Sequence, residues 1–370
     1  MKAGLFRRVI LTIHLIVGLT AALVLIVVGL TGVALAYRDN YVRWVHPSFF
    51  KAGSGTGPLS EDALVAAVEK EAASAKVETA LMLSPVARLY FLDKHGPLWA
   101  NRYTGEVLDA HTGQSWSSKL VINSTQLHTK LMAGDAGRVV VNVAKFLVLV
   151  LVPTGLFLWW RTKRRSVKWT AGWYRVLWDL HNCAGIIGAV PILFLAFTGM
   201  MIAIRIPESA FTEANPQLKA REPRSVRPAD AGTRPKLSLD AVIAAADAAL
   251  PDSPTLQVQY PESPWSAFVV RKRAGEFSAQ GPHCHVFVDL YSGEVLRVDD
   301  AREYSAGFRW YQLAKKMHSG ELFGTFGRSI LAVGSSLMVV SSITGIGLGL
   351  KKLAGSWRRF RSRKPVRESA

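Results

Sequence analysis

The chain has 370 residues, 49% of them hydrophobic, with a positive mean hydropathy of +0.19 and a net charge of +18. Sixteen of those 18 net charges lie in three short segments, residues 1–8, 161–175 and 351–370, each flanking an apolar run. That bias orients membrane helices with their basic loops on the cytoplasmic side, so lipid headgroups account for the basicity and no nucleic-acid partner is expected.

Four apolar runs are each long enough to cross a hydrocarbon core of about 30 Å. Residues 8–37 give the first predicted transmembrane helix, whose run Val9–Tyr37 precedes Arg38. Its basic start and Ala34-Leu35-Ala36 imitate a secretion signal, but the apolar stretch is too long for a signal core and the helix is expected to be retained. Residues 38–137 read as a small α+β domain outside the membrane. A helix is predicted over Glu61–Ala75 after a Ser cap, a strand over Leu89–Leu92, and a hairpin turn at Thr104-Gly105 before a Glu-Val-Leu strand. Residues 138–160 give the second helix (run Val139–Trp160), charged only at Lys145, which can snorkel.

The loop 161–175 is basic, and Trp159, Trp160, Trp173 and Trp178 form an interfacial aromatic belt around it. Residues 176–205 give the third helix (run Val176–Ile204), with Asp179 near its start. Residues 206–327 read as a second α+β domain. Its stretch 207–236, rich in Pro, Arg and Ala, is a loop, followed by a helix over Leu239–Leu250, a strand over Val286–Leu290 and a turn at Ser292-Gly293. Residues 328–350 give the fourth helix (run Ser329–Leu350) and 351–370 a basic cytoplasmic tail. Cys183 and Cys284 fall at different depths, so no disulfide is expected, and without a CxxCH motif there is no covalent haem attachment.

The two halves align. His14-Leu-Ile-Val-Gly18 matches His181-Asn-Cys-Ala-Gly185, and Thr31-Gly32 matches Thr198-Gly199, at an offset of 167 residues. Tyr103–Leu108 matches Tyr291–Leu296 at an offset of 188. His128, Gly134, Gly137-Arg138 and Thr154-Gly155 match His318, Gly324, Gly327-Arg328 and Thr344-Gly345 at 190. The offset grows only in the polar segment, where insertions are tolerated. The expected architecture is a four-helix transmembrane bundle of two parallel repeats with two outer α+β domains, related by a pseudo-twofold axis along the membrane normal.

Four of the nine histidines form matched pairs: His14 with His181, and His128 with His318. His14 follows Arg8, and His181 follows Arg175, by six residues, about 9 Å along a helix. His128 and His318 each precede an Arg by ten, at the opposite membrane face. A pseudo-twofold axis would bring each pair together, as axial ligands of two non-covalent b-type haems. Gly18 and Gly185, one turn from the inner histidines, would clear space for a macrocycle, and Arg138 and Arg328 are placed to pair with haem propionates. Set against this, isolated membrane histidines also serve packing, proton or metal pathways. The Thr-Gly pairs read as small residues for close helix packing. His283-Cys284-His285 has no counterpart in the other half. On a strand its histidines would share one face, and no further motif completes a metal site.

The His-x3-Gly…Thr-Gly helices, the Leu127-His128…Gly134…Gly137-Arg138 segment with its Met317-His318…Gly324…Gly327-Arg328 twin, and the Tyr-x-Gly-Glu-Val-Leu turns resemble the PepSY-associated transmembrane-helix proteins. The likeness runs over roughly residues 8–350 and is greatest to the FoxB- and PiuB-like iron-uptake members. It implies two PepSY-like periplasmic domains and a bacterial inner-membrane, haem-dependent ferric-siderophore reductase. Its substrate would be a periplasmic ferric siderophore, and its electron donor a quinol or a cytoplasmic reductase. A haem-free proton- or metal-linked transporter and a PepSY-type regulatory membrane protein are the competing expectations.

Overall fold

The computed structural model describes residues 2–38, 40, 44, 47, 57–71, 77–83, 86–91, 98–108, 116–163, 166–204, 208–211, 213–215, 222–230, 237–274 and 283–361. His46, His95, His111 and residues 362–370 of the basic tail lie outside that set. The chain divides into two units: a helical unit of Met1–Tyr37, Ile122–Ile204 and Met317–Ala370, and a sheet unit of Arg38–Val121 and Arg205–Lys316.

Each predicted apolar run lies inside a helix, save Tyr37, which follows the end of the first. These are α1 (Lys2–Ala36), α4 (Gly134–Thr162), α5 (Trp173–Ile204) and α8 (Gly324–Arg361). Among the described residues four stretches are long and apolar enough to cross a membrane: Gly4–Ala36, Gly134–Thr162, Trp173–Ile204 and Glu321–Trp357. The helices pack as a ring, α1 against α4 and α8, and α5 against α4 and α8. Small residues bring them close. A Cβ on Gly29 would lie 2.6 Å from Val339 Cγ2, and one on Gly334 2.7 Å from Pro191 Cβ. Buried Asp179 is neutralised within its own helix by Arg175, whose Nε lies 3.0 Å from Oδ1.

In the sheet unit the expectation of two separate small domains is not what forms. The two polar segments share one eight-stranded antiparallel sheet, in the order β4-β3-β2-β1-β5-β6-β7-β8. The first segment gives β1 (Val77–Leu83), β2 (Val86–Phe91), β3 (Leu98–Asn101) and β4 (Val107–Leu108); the second gives β5 (Thr255–Gln259), β6 (Phe268–Arg273), β7 (His283–Val288) and β8 (Val295–Asp299). They join where β1 pairs β5, with Ala80 opposite Val258. A four-strand module would leave β1 and β5 as edges with unpaired backbone groups, and pairing them satisfies both.

One sheet face carries α2 (Glu61–Glu71) and α6 (Leu239–Ala249), both starting where the sequence predicts. Leu64, Val68, Leu239, Val242 and Ala246 meet Leu89, Val258, Val270 and Val286 in a common core, where a fully buried aliphatic side chain contributes about 1.5–3 kcal/mol. The two helices cap one another. Asp240 accepts from the backbone N–H groups of Glu61 (2.9 Å) and Asp62 (3.4 Å), and Asp62 accepts from those of Leu239 (2.8 Å) and Asp240 (3.3 Å). Each carboxylate thereby serves the positive end of the other segment's helix. Both predicted turns are present, with positive φ at Gly105 (71°) and Gly293 (75°).

Candidate functional site: two imidazole pairs in the helical unit

His14 lies in α1 and His181 in α5. His128 lies in α3 (Trp116–Lys130) and His318 in α7 (Ala306–Ser319), short helices preceding α4 and α8. Gly134 (φ 58°) and Gly324 (φ 59°) break the chain between each short helix and the long one after it. That break lets the histidine leave the axis of the following helix.

The structure brings the histidines together in the two pairs expected from the sequence. The His14 and His181 ring centres are 6.2 Å apart, and those of His128 and His318 6.1 Å. Thr31 follows His14, and Thr198 follows His181, by 17 residues in one continuous helix. Thr31 and Thr198 contact the other pair, so the two sites lie about 25 Å apart along the bundle at ~1.5 Å per residue.

One arrangement repeats four times. His14 Nδ1 lies 3.0 Å from Thr154 Oγ1, His128 Nδ1 3.1 Å from Thr31, His181 Nδ1 3.2 Å from Thr344 and His318 Nδ1 3.0 Å from Thr198. His128 Nδ1 is also 3.0 Å from the Val28 carbonyl, and His181 Nδ1 2.9 Å from that of Ser341. A carbonyl only accepts, so Nδ1 carries the proton and donates it. Each Thr hydroxyl donates to the carbonyl one turn back, at 2.7–2.8 Å, which turns its lone pairs toward the imidazole. The ring is thus fixed as the Nδ1–H tautomer, and the Nε2 lone pair remains for a ligand.

The glycine after each threonine makes room for the ring. A Cβ on Gly155 would meet His14 Cε1 at 3.2 Å, on Gly32 His128 Cε1 at 3.4 Å, on Gly345 His181 Cε1 at 3.2 Å and on Gly199 His318 Cε1 at 3.1 Å. The Thr-Gly pairs are therefore imidazole seats, a role the packing interpretation missed. Their recurrence 17 residues after one histidine and 26 after the other was the available signal.

Two imidazoles on one metal, with bonds of about 2 Å and ring centres about 1 Å beyond each nitrogen, stand about 6 Å apart. Both pairs meet that spacing. Among the described residues no group of three or more His, Cys, Asp or Glu gathers anywhere. A protein-only zinc site needs three or four such donors, whereas a haem brings four nitrogens and needs two. The donor set therefore fits a bis-imidazole haem.

The other predicted site residues are placed as follows. Gly185 faces open space, and a Cβ on Gly18 would touch Leu151 Cδ2 at 3.6 Å. Arg138 pairs with Asp135 at 2.6 Å, while the buried Arg328 Nε has no hydrogen-bond partner. Lys145 lies beside the His128/His318 pair: a Cβ on Gly199 would meet its Cδ at 3.6 Å, and its Nζ donates to Asn142 Oδ1 at 3.1 Å. The matching neighbour of Gly32 is Ser335 Oγ at 3.3 Å, so the same position carries a cation in one half and a hydroxyl in the other. Cys183 and Cys284 are free thiols.

No curated protein matches the sequence. Residues 11–240 and 210–370 each match the family described as the PepSY-associated TM region. With both stretches matched and four membrane-length helices present, the chain belongs to the PepSY-associated transmembrane family.

Proposed function

We propose that the protein is a bacterial inner-membrane di-haem b reductase that delivers electrons to a periplasmic ferric siderophore and releases Fe(II). The observation that carries this reading is the pair of imidazole sites, each with ring centres about 6 Å apart and every Nδ1 held by a threonine. When bound, a bis-imidazole haem supplies one-electron transfer.

The chain's own residues do the rest. Thr31, Thr154, Thr198 and Thr344 hold each imidazole in its Nδ1–H tautomer and fix its direction. Gly32, Gly155, Gly199 and Gly345 let each ring lie against the neighbouring helix. The guanidinium of Arg328, with its buried Nε unpaired, suits a propionate, as does the ammonium of Lys145. The 25 Å separation, about the thickness of a hydrocarbon core, makes one pair reachable from each membrane face. The matched offsets support two parallel repeats, and the basic segments support cytoplasmic termini with the sheet unit in the periplasm. The substrate Fe(III) is held by hard oxygen donors that bind Fe(II) less well, so reduction favours release. A membrane quinol or a cytoplasmic reductase is the donor.

The test is direct. Purified protein, reduced with dithionite and freed of excess reductant, is mixed with a ferric siderophore and a ferrous trap. Re-oxidation of the protein with matching Fe(II) capture is the expected outcome. A protein that stays reduced before every ferric chelate offered would refute the reductase assignment.

A further inference from the structure

The sheet face opposite α2 and α6 has a chemistry that the imidazole pairs do not use. Cross-strand register sets Gln257 beside Arg271, Arg271 beside His285, Arg273 beside His283, His285 beside Asp299 and Phe287 beside Arg297. Alternation along the strands confirms the division, because Val270, Lys272, Cys284 and Val286 are fully buried on the helix-covered face. The other face thus gathers Arg271, Arg273, Arg297, His283 and His285, and Lys316 of α7 acts electrostatically on His283. Among the described residues of β5–β8 on this face the one carboxylate is Asp299, which Arg297 already pairs at 2.9 Å.

This concentration of cations is local. The two long polar segments carry almost none of the chain's net charge, which sits in the segments flanking the helices. Two buried nitrogens here also lack hydrogen-bond partners, Arg273 Nε, a donor, and His283 Nδ1, a donor in the Nδ1–H tautomer, on side chains directly opposite one another in the β6–β7 pairing. Buried donors are rarely left unmatched, and an oxyanion would satisfy both. Burial, followed by the charges of Lys316 and Arg271, pushes His283 down to about 3; burial and Arg271 push His285 down to about 4. Both imidazoles are therefore neutral at pH 7 and can each donate one N–H without adding charge.

We propose that this face binds the anionic oxygen groups of the ferric chelate, so that the substrate class is polycarboxylate-type, anionic chelates in preference to cationic hydroxamates. This rests on the reductase reading for the chelate's fate, though not for its binding.

The test uses redox-inert gallium(III) complexes and the purified full-length holoprotein. Gallium citrate should bind about tenfold or more tightly than the gallium complex of a cationic trihydroxamate, and its binding should weaken as salt is raised. Arg271→Gln with Arg273→Gln should lose that preference with haem content unchanged, and Arg271→Lys with Arg273→Lys should restore part of it. Equal or tighter binding of the cationic complex overturns the proposal, as does binding that salt does not affect; the wild-type arm needs no variant to fold. Loss of binding to anionic-lipid nanodiscs in the glutamine variant, with gallium citrate binding unchanged, would overturn it in favour of a lipid-facing role. Anion preference in a haem-free protein would refute the reductase reading alone. Haem-dependent reduction of both chelates irrespective of charge and of the glutamines would refute this face alone.

Discussion

A single imidazole nitrogen decides what these histidines can do. Because the carbonyls of Val28 and Ser341 accept from His128 and His181, Nδ1 is the protonated nitrogen and Nε2 keeps its lone pair. Thr154→Val with Thr344→Val keeps the volume and removes the hydroxyl partners of His14 and His181, leaving the Ser341 carbonyl against His181. It should weaken haem retention at that pair about 10–100-fold, measured by transfer to apomyoglobin, and leave the other pair untouched. Lys145→Met removes a positive charge from one side of the His128/His318 pair, which favours the oxidised state there. In a spectroelectrochemical titration one of two one-electron waves should move to lower potential while the other stays. The histidines themselves were legible in the sequence because their type is rare in apolar helices and their spacing repeats. Their threonine and glycine seats were not, since in a membrane helix those residue types equally serve close packing.

At the level of elements, turns and caps were readable from local chemistry and strand partners were not. Ser60 and Ser238 accept from Ala63 and Ala241 as N-caps should, at 3.2 and 3.1 Å. The β1–β5 seam and the exchange of Asp62 and Asp240 between helices join residues nearly 180 apart, which no local pattern encodes. Burial pushes the Asp240 carboxyl up, but hydrogen bonds from the Glu61 and Asp62 backbones outweigh it and hold it below the ordinary value. A depressed carboxyl stabilises above its unfolded pKa, and that share is lost as pH falls through the folded value. Asp240→Ala should cost about 1 kcal/mol and, as its signature, speed amide exchange at Glu61 and Asp62 in the other segment. The protection factors of the same amides, with the slower intrinsic exchange divided out, should fall in the wild type at acid pH.

For the whole molecule, hydropathy and charge asymmetry determine the plan: four helices, basic segments beside them, and two polar segments leaving from the same end of their helices. What they leave undetermined is association between the segments, because a strand's apolar alternation names a buried face and not its neighbour. In the ring α1–α4–α5–α8 each histidine is seated within its own half and stands beside its partner from the other half. Neither half alone holds both imidazoles of a pair. The most direct test is the haem count per chain of the purified protein, by pyridine haemochrome, in wild type, His14→Ala and His128→Ala. About two haems are expected in the wild type and about one in each variant, with complementary losses in the redox titration. A colourless wild type, or two haems retained in both variants, would contradict it.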